Sequence, residues 1–240
     1  MEEIRVLEEL DLLNQVVGIQ LAVWGEEELC PRNQLKAIAT SGGATVGAVR
    51  DGKVVGFAMG WPGIDGRGLY LHSHMLAVLP GEQGSGLGSA LKWAQREWAL
   101  ASGFKRMKWT YDPFRYVNAR LNIERLGAVP VSFIPNCYGT MNDRLNHGLP
   151  SDRFVVEWRL DAPEVAARRD GSYRPAPVPS SDRLPFPRDL SAEREMDLAG
   201  LLVRRREFAE KAAALFAGGL RVVAIDHDGP AYLFAGRAEE

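Results

Sequence analysis

Little in this chain would crosslink it, anchor it or charge it. Its two cysteines, Cys30 and Cys137, stand far apart and form no CxxC pair. A disulfide scaffold or a structural zinc site needs more thiols at closer spacing, so the chain suits a reducing compartment. No stretch approaches the roughly 20 apolar residues that span a bilayer. The acidic opening Met1-Glu2-Glu3-Ile4 lacks the apolar core of a secretion signal. The expectation is a cytoplasmic protein without a membrane partner. Charge of one sign is scarce as well: 29 basic residues against 31 acidic ones give a net charge of -2. That leaves no field for gathering nucleic acid. The one dense basic cluster, Arg204-Arg205-Arg206, is followed by Glu207 and Glu210 and reads as the solvated face of a helix.

What is present is ordinary for a globular protein, 46% hydrophobic and 25% charged over 240 residues. Strands are expected at 4–7, 45–50, 53–61, 70–78, 106–111, 129–134 and 154–160, with Asp51-Gly52 as a hairpin turn and 62–68 as a Gly-rich loop. A helix over 11–24 places Leu12, Leu13, Val16, Val17, Gln20, Leu21 and Trp24 on one stripe. A second helix over 86–102 turns Leu87, Leu91, Ala94, Trp98 and Ala101 inward, with Lys92, Gln95, Arg96 and Glu97 elsewhere, and ends at Gly103. A short helix spans 118–126 and stops at Gly127. Six prolines from Pro163 to Pro187 mark 161–190 as an extended linker. Ser191 then caps a helix through Phe216, and 220–225 and 231–234 form a hairpin around Asp228-Gly229. The chain thus divides into a main domain over 1–160, the linker, and a 191–240 helix–hairpin extension too small to hold much core alone.

The stretch HSHMLAVLPGEQGSGLG, His72 to Gly88, carries the chemistry. Its loop, Gln83-Gly84-Ser85-Gly86-Leu87-Gly88, opens directly into a helix. The first amides of a helix have no internal partners and point at an anion, and the helix dipole favours negative charge there. Missing side chains let a phosphate reach that backbone, although a tight turn would use the same glycines. A Walker A loop needs Gly-Lys-Ser/Thr where Gly88-Ser89-Ala90 stands. A dinucleotide turn wants its first glycine directly after the strand, and Pro80-Gly81-Glu82-Gln83 intervene. His72 and His74 share one face of their strand by alternation. A metal pair would need a third ligand, and none is evident by spacing, so no metal is expected. Two hydrogen-bonded strand histidines remain the plain alternative to catalysis.

Gln83-x-x-Gly86-x-Gly88, preceded by Leu76-Ala77-Val78, resembles the Q/R-x-x-G-x-G/A signature of the Gcn5-related N-acetyltransferase (GNAT) superfamily. The order of elements over about 1–160 resembles that fold too. The resemblance implies an α/β (α+β) architecture, a central mixed, mostly antiparallel twisted sheet flanked by helices, here with the C-terminal helix–hairpin extension. It implies acetyl-CoA as co-substrate. Gln83, Gly84, Ser85, Gly86, Leu87 and Gly88 would cradle its pyrophosphate. The backbone of Leu76, Ala77 and Val78 would pair with the pantetheine arm, and the Val78 N–H would meet the developing oxyanion. Asn118 would bond the pantetheine or cap its helix. "HSHMLAV" is also similar to the strand of arylalkylamine N-acetyltransferases, where a His-x-His pair relays the amine's proton. That likeness makes His74 and His72 the base candidates, a role an imidazole suits near neutral pH.

The family's usual tyrosine, four residues before the helix-ending glycine, is Ile123 here. Tyr111, Tyr116 and Tyr138 could replace it as the acid for the leaving thiolate, Tyr138 foremost. "YDPFRYVNARLNIERLGA" and "NHGLPSDRFVVEW" resemble a poorly characterised bacterial branch of predicted GNAT acetyltransferases, with Asp152 and Arg153 open to a polar substrate group or to a loop salt bridge. Trp61, Trp109 and Phe114 would wall the pocket unless they are core. The reading is an acetyl-CoA-dependent N-acyltransferase acting on a small-molecule amine, with a homodimer as one open arrangement. An inactive CoA-binding protein and a transferase for a longer acyl-CoA are the alternatives.

Overall fold

The computed structural model describes residues 2–26, 29–139, 141, 146, 148–175 and 182–236. The chain forms two compact units and passes between them inside one strand, at Trp109–Thr110, so the expected division at 160 does not coincide with them.

The first unit holds β1 (Glu2–Val6), α1 (Leu10–Val23), α2 (Arg32–Thr40), β2 (Ala44–Arg50), β3 (Lys53–Asp65), β4 (Gly68–Val78), α3 (Leu87–Ala101) and the start of β5 (Arg106–Tyr111). Its strands lie in the order β1-β2-β3-β4-β5. All neighbours are antiparallel except β4 and β5, which are parallel. Asp51 and Gly52 both take positive φ, which turns β2 tightly into β3. One face of the sheet buries Phe57, Met59 and Ala77 against Leu13, Val16 and Ile19 of α1 and Leu35 of α2. The other buries Val46, Ala48, Val55 and Ala58 against Leu87 and Leu91 of α3.

Three expectations are corrected here. No element was expected between 24 and 45, yet the nine-residue α2 lies there, with Leu35 as its one buried residue. The loop over 62–68 is instead a continuation of the hairpin, with Pro62 opposite Leu71 and Asp65 opposite Gly68. β2 pairs no further than Gly60, so β3 is an edge strand from there on, where proline is tolerated. The third concerns α3, whose buried arc is rotated: Lys92, Gln95, Arg96 and Ala99 are buried, whereas Ala94 and Trp98 are only half-buried.

The second unit takes up the end of β5 and holds α4 (Tyr116–Ala119), which widens into a π-helix over Arg120–Leu126, then β6 (Val129–Ile134), β7 (Arg153–Arg159) and α5 (Pro163–Asp170). β8 (Asp182–Pro185), α6 (Leu190–Met196), α7 (Leu198–Ala217), β9 (Arg221–Asp226) and β10 (Ala231–Ala235) complete it. In strand order the main sheet continues β5-β7-β6, which makes the expected mixed, mostly antiparallel α/β sheet of seven strands; β8-β10-β9 form a separate one. Phe154 is the hub of an aromatic cluster, with Tyr232 at 4.9 Å, Phe216 at 5.5 Å, and Tyr111, Phe133 and Phe208 at 5.9 Å between ring centres.

Several expectations for this unit change as well. Residues 161–190 are not an extended linker throughout, because α5 and β8 form there and Leu184 and Phe186 are buried; 176–181 lie outside the described residues. Ser191 is not the helix cap. Asp189 is, accepting from the Ser191 and Ala192 amides, and a break at Asp197 divides the expected single helix into α6 and α7. Arg205, read as solvated, is fully buried between Asp112 and Asp152. Asn118 sits inside α4, whose N-cap is Arg115, so it does not cap the helix.

Candidate active site

The site is built on an irregularity in β4. Met75 faces Met59 and Ser73 faces Gly60, so His74 is an extra residue with no partner on β3. Such a bulge shifts the phase of the side chains that follow. Before it, Ser73 bonds Gln95 and Lys92 of α3. After it, Leu76 and Val78 pack with the α3 side, while Met75 and Ala77 pack with the α1 side.

His72 and His74 share the face carrying Trp61, as alternation predicted, and the three rings form one cluster. Trp61 lies 5.1 Å from His72 and 4.7 Å from His74, and the imidazoles are 5.7 Å apart. His72 is half-buried, and its imidazole is pushed down to about 4 by burial first, then by the charges of His74, Lys92 and Lys108. His74 keeps an exposed edge, yet enough packed atoms surround its ring to lower it too. Both rings are therefore neutral near pH 7, each with a nitrogen lone pair able to take a proton. On the neighbouring strand Lys108 and Arg106 are tied to Asp65, at 2.7 and 2.8 Å.

The β4–β5 ladder covers Leu71↔Met107 and His72↔Lys108 and no further. Beyond His72, β4 has one free edge. The Leu79 N–H donates to Val55 O on β3. Strand backbone groups alternate sides, so those of Leu76 and Val78 point to the free edge and those of Ala77 to β3.

A 3-10 turn (Pro80–Glu82) then leads into the glycine loop, with Glu82 held by Arg50 at 2.6 Å. Gly84 and Gly86 have φ of 80° and 91°, conformations that only glycine takes readily. Gly86 is the N-cap of α3. The Ser85 hydroxyl donates to Glu82 O at 2.7 Å and accepts from the Leu87 N–H at 3.3 Å, which fixes the turn from within. Leu87 buries its side chain in the core, while Gln83 is exposed. Nothing lies within 4 Å of where a Cβ on Gly84 or Gly86 would be. Open space, bare backbone and the first turn of a 15-residue helix, whose amides have no partners within the helix, together fit a pyrophosphate.

Tyr138 and Asn118 belong to the second unit. Tyr138 is 49% exposed, and its hydroxyl shares a hydrogen bond with Thr110 Oγ1 at 2.9 Å. Asn118 is half-buried on α4, and Ile123 is buried on the π-helical turn that follows. The other tyrosines are engaged: Tyr111 is buried, which pushes its phenol up, and Tyr116 is bonded to His227 Nδ1 at 2.8 Å. Asp152 meets Arg205 rather than solvent. Trp109 lies under Lys92 and Phe114 under Arg205, so both pack on buried cations. Lys92 and Gln95 were missed as members of the site. Their signal was a polar pair within the best amphipathic helix, one turn from Leu91. Among the described residues, no group of three or more His, Cys, Asp or Glu could hold a metal ion.

Residues 13–127 match the acetyltransferase (GNAT) family model. No curated protein matches the chain. Among solved structures, the ribosomal-protein-S18-alanine N-acetyltransferase from Escherichia coli is similar at 18% identity, with 68% of this chain and 96% of that one covered and a TM-score of 0.55. The putative acetyltransferase yncA from Salmonella typhimurium, solved with acetyl-CoA, is similar at 20% identity, covering 67% and 94%, with a TM-score of 0.51. Arabidopsis thaliana Naa50, in complex with the bisubstrate analogue CoA-Ac-MVNAL, is similar at 16% identity, covering 65% and 97%, with a TM-score of 0.51.

Proposed function

We propose that this chain, whose residues 13–127 match the acetyltransferase (GNAT) family model, is a GNAT acyltransferase and transfers the acetyl group of acetyl-CoA to the amine of a small molecule by direct attack on the thioester. One observation carries the reading: a neutral histidine pair stands on a bulged strand whose free edge runs into an open, anion-ready loop.

Acetyl-CoA supplies an activated acyl carbon and a thiolate leaving group. The amides of Gly84, Gly86 and Gly88 and the helix start hold the pyrophosphate, with Gln83, Ser85 and Leu87 shaping the turn. The free edge of Leu76 and Val78 aligns the pantetheine arm, and Ala77 braces that edge from β3. The Val78 N–H bonds the oxygen where charge develops. The amine nitrogen bonds the acyl carbon as the carbon–sulfur bond breaks. His74, with His72 behind it, takes the amine proton directly or through water. On the family resemblance alone, Tyr138 and Asn118 of the second unit are the candidates for returning a proton to the thiolate and for bonding the pantetheine. Tyr138→Phe then slows turnover most for the poorest leaving group. The two free cysteines, Cys30 and Cys137, support a reducing, cytoplasmic setting.

Ile123, buried where the family usually carries tyrosine, favours one second reading, an acyl-CoA binder without turnover. Titration calorimetry of acetyl-CoA into wild type and Gly88→Glu tests the premise common to both. A Cβ at Gly88 would meet only Leu76 Cδ2, at an ordinary 3.9 Å, so the variant folds and places a carboxylate in the cradle. Micromolar binding that weakens at least about tenfold supports the cradle. No binding to wild type sinks both readings. A panel of small amines and peptide N-termini, with His74→Ala as control, then separates transferase from binder and small molecule from peptide.

A further inference from the structure

The polar cluster behind β4 is unused by the chemistry above. Lys92 is 2% exposed on α3. Its Nζ donates to Ser73 Oγ at 2.8 Å, Gln95 Oε1 at 3.0 Å and Met107 Sδ at 3.2 Å, and lies 3.9 Å from the centre of the Trp109 ring. Ser73 donates to the same Gln95 oxygen at 2.8 Å, and Gln95 Nε2 is buried with no hydrogen-bond partner among the described residues. Burial pushes the Lys92 amine well below its ordinary value, and a buried polar cluster with one orphaned amide is often no more stable than apolar residues of the same volume. The cluster grips one particular residue. Ser73 stands between the two histidines, at the step where the register slips. From the far side, Gly60 allows that slip because it has no side chain: a Cβ there would lie 2.6 Å from the His72 carbonyl oxygen.

We propose that Lys92 is a positioning residue for the histidine pair: by holding Ser73 toward α3 it fixes the phase of the bulge and presents His72 and His74 together beside Trp61. The proposal rests on the acetyl-transfer reading for its kinetic consequence, though not for its structural one. The charges that act on His72 are those of His74 on its own strand, Lys92 of α3 behind the sheet and Lys108 of β5, the last tied to Asp65 of β3. Loss of the Lys92 charge removes one of the causes that lower His72.

The test is a histidine NMR titration of the full chain, with wild type set against Lys92→Met and Ser73→Ala, and His72→Gln for assignment. Both variants move the ring resonances of His72 and His74, and Lys92→Met shifts the His72 midpoint upward. In turnover, kcat falls about tenfold in each variant and no further in the double variant, while the acetyl-CoA KM stays within about twofold. The melting temperature of Lys92→Met stays level or rises, which a purely structural role would not give together with lost turnover. Unmoved ring resonances with an unmoved midpoint overturn the proposal, as does strict additivity in kcat. Should the wild type transfer no acetyl group, the transfer reading falls while the NMR result still decides the brace. Should Lys92→Met fail to fold, Ser73→Ala, which removes a single oxygen, decides it.

Discussion

The most deeply buried long cation of each unit, Lys92 in the first and Arg205 in the second, is held in a different way. Arg205 in the second unit is 0% exposed and meets formal charge: Asp112 at 3.1 and 3.2 Å and Asp152 at 3.4 Å, with Pro150 O at 3.1 Å and the Phe114 ring beneath. Its planar fork fixes the angle at which α7 meets the turn after β5. Lys92 in the first unit is met by a hydroxyl, an amide oxygen, a thioether and an indole face. A paired guanidinium locks a fold together. The Lys92 amine tethers one strand residue, and that residue lies between two histidines. The first unit thus carries polarity that its own stability does not require, which is where a functional demand shows.

Breaking the Arg205 network has the largest expected effect. Arg205→Met leaves two buried carboxylates without their cation and costs about 3–5 kcal/mol, read from denaturant unfolding. Adding Asp112→Asn recovers part of it; if Arg205→Met alone costs under about 1 kcal/mol, the contrast with Lys92 collapses. Next is Gly60→Ala, a single methyl set against the His72 carbonyl, which costs about 1–3 kcal/mol and displaces both histidine resonances. A third test uses pH. His72 titrates at about 4 in the folded chain, below the ordinary imidazole value of about 6.5. Between those values the unfolded chain binds the proton first, so the stability from neutral His72 is complete above about 6.5 and fades as pH falls toward 4. Allowing for partial exposure, the effect is about 1–2 kcal/mol, and His72→Gln flattens it. By the same sign, the acid limb of kcat/KM lies below 6.5.

The sequence exposed what is local. Asp51-Gly52 announced its hairpin, the glycine loop announced a helix start, and the alternating histidines announced a shared face. What it hid depends on partners far along the chain. Asp112 and Asp152 lie 93 and 53 residues before Arg205, and no pattern within a helix reveals that they converge on it. Lys92, Gln95 and Arg96 were read as outward because their side chains are polar, yet Ser73 and the Leu160 carbonyl await them. The bulge is equally silent, since a slipped register is a property of two strands. It also means that the shared face of His72 and His74 follows from simple alternation only up to that step.

The smallest effect separates charge that is buried from charge that caps. The helix start near residue 190 was assigned to Ser191 because serine is a good N-cap. Asp189 holds the position instead: its Oδ1 accepts from the Ser191 and Ala192 amides at 3.0 and 3.1 Å. A carboxylate there also meets the positive end of the helix, which a hydroxyl two residues further on cannot do from inside the first turn. Asp189→Ala is therefore expected to cost about 1 kcal/mol, and Ser191→Ala almost nothing, in paired urea melts. Equal costs would return the cap to Ser191. A loss at Asp189 that rivals Arg205→Met would show that the second unit depends on its surface charges as heavily as on its buried pair.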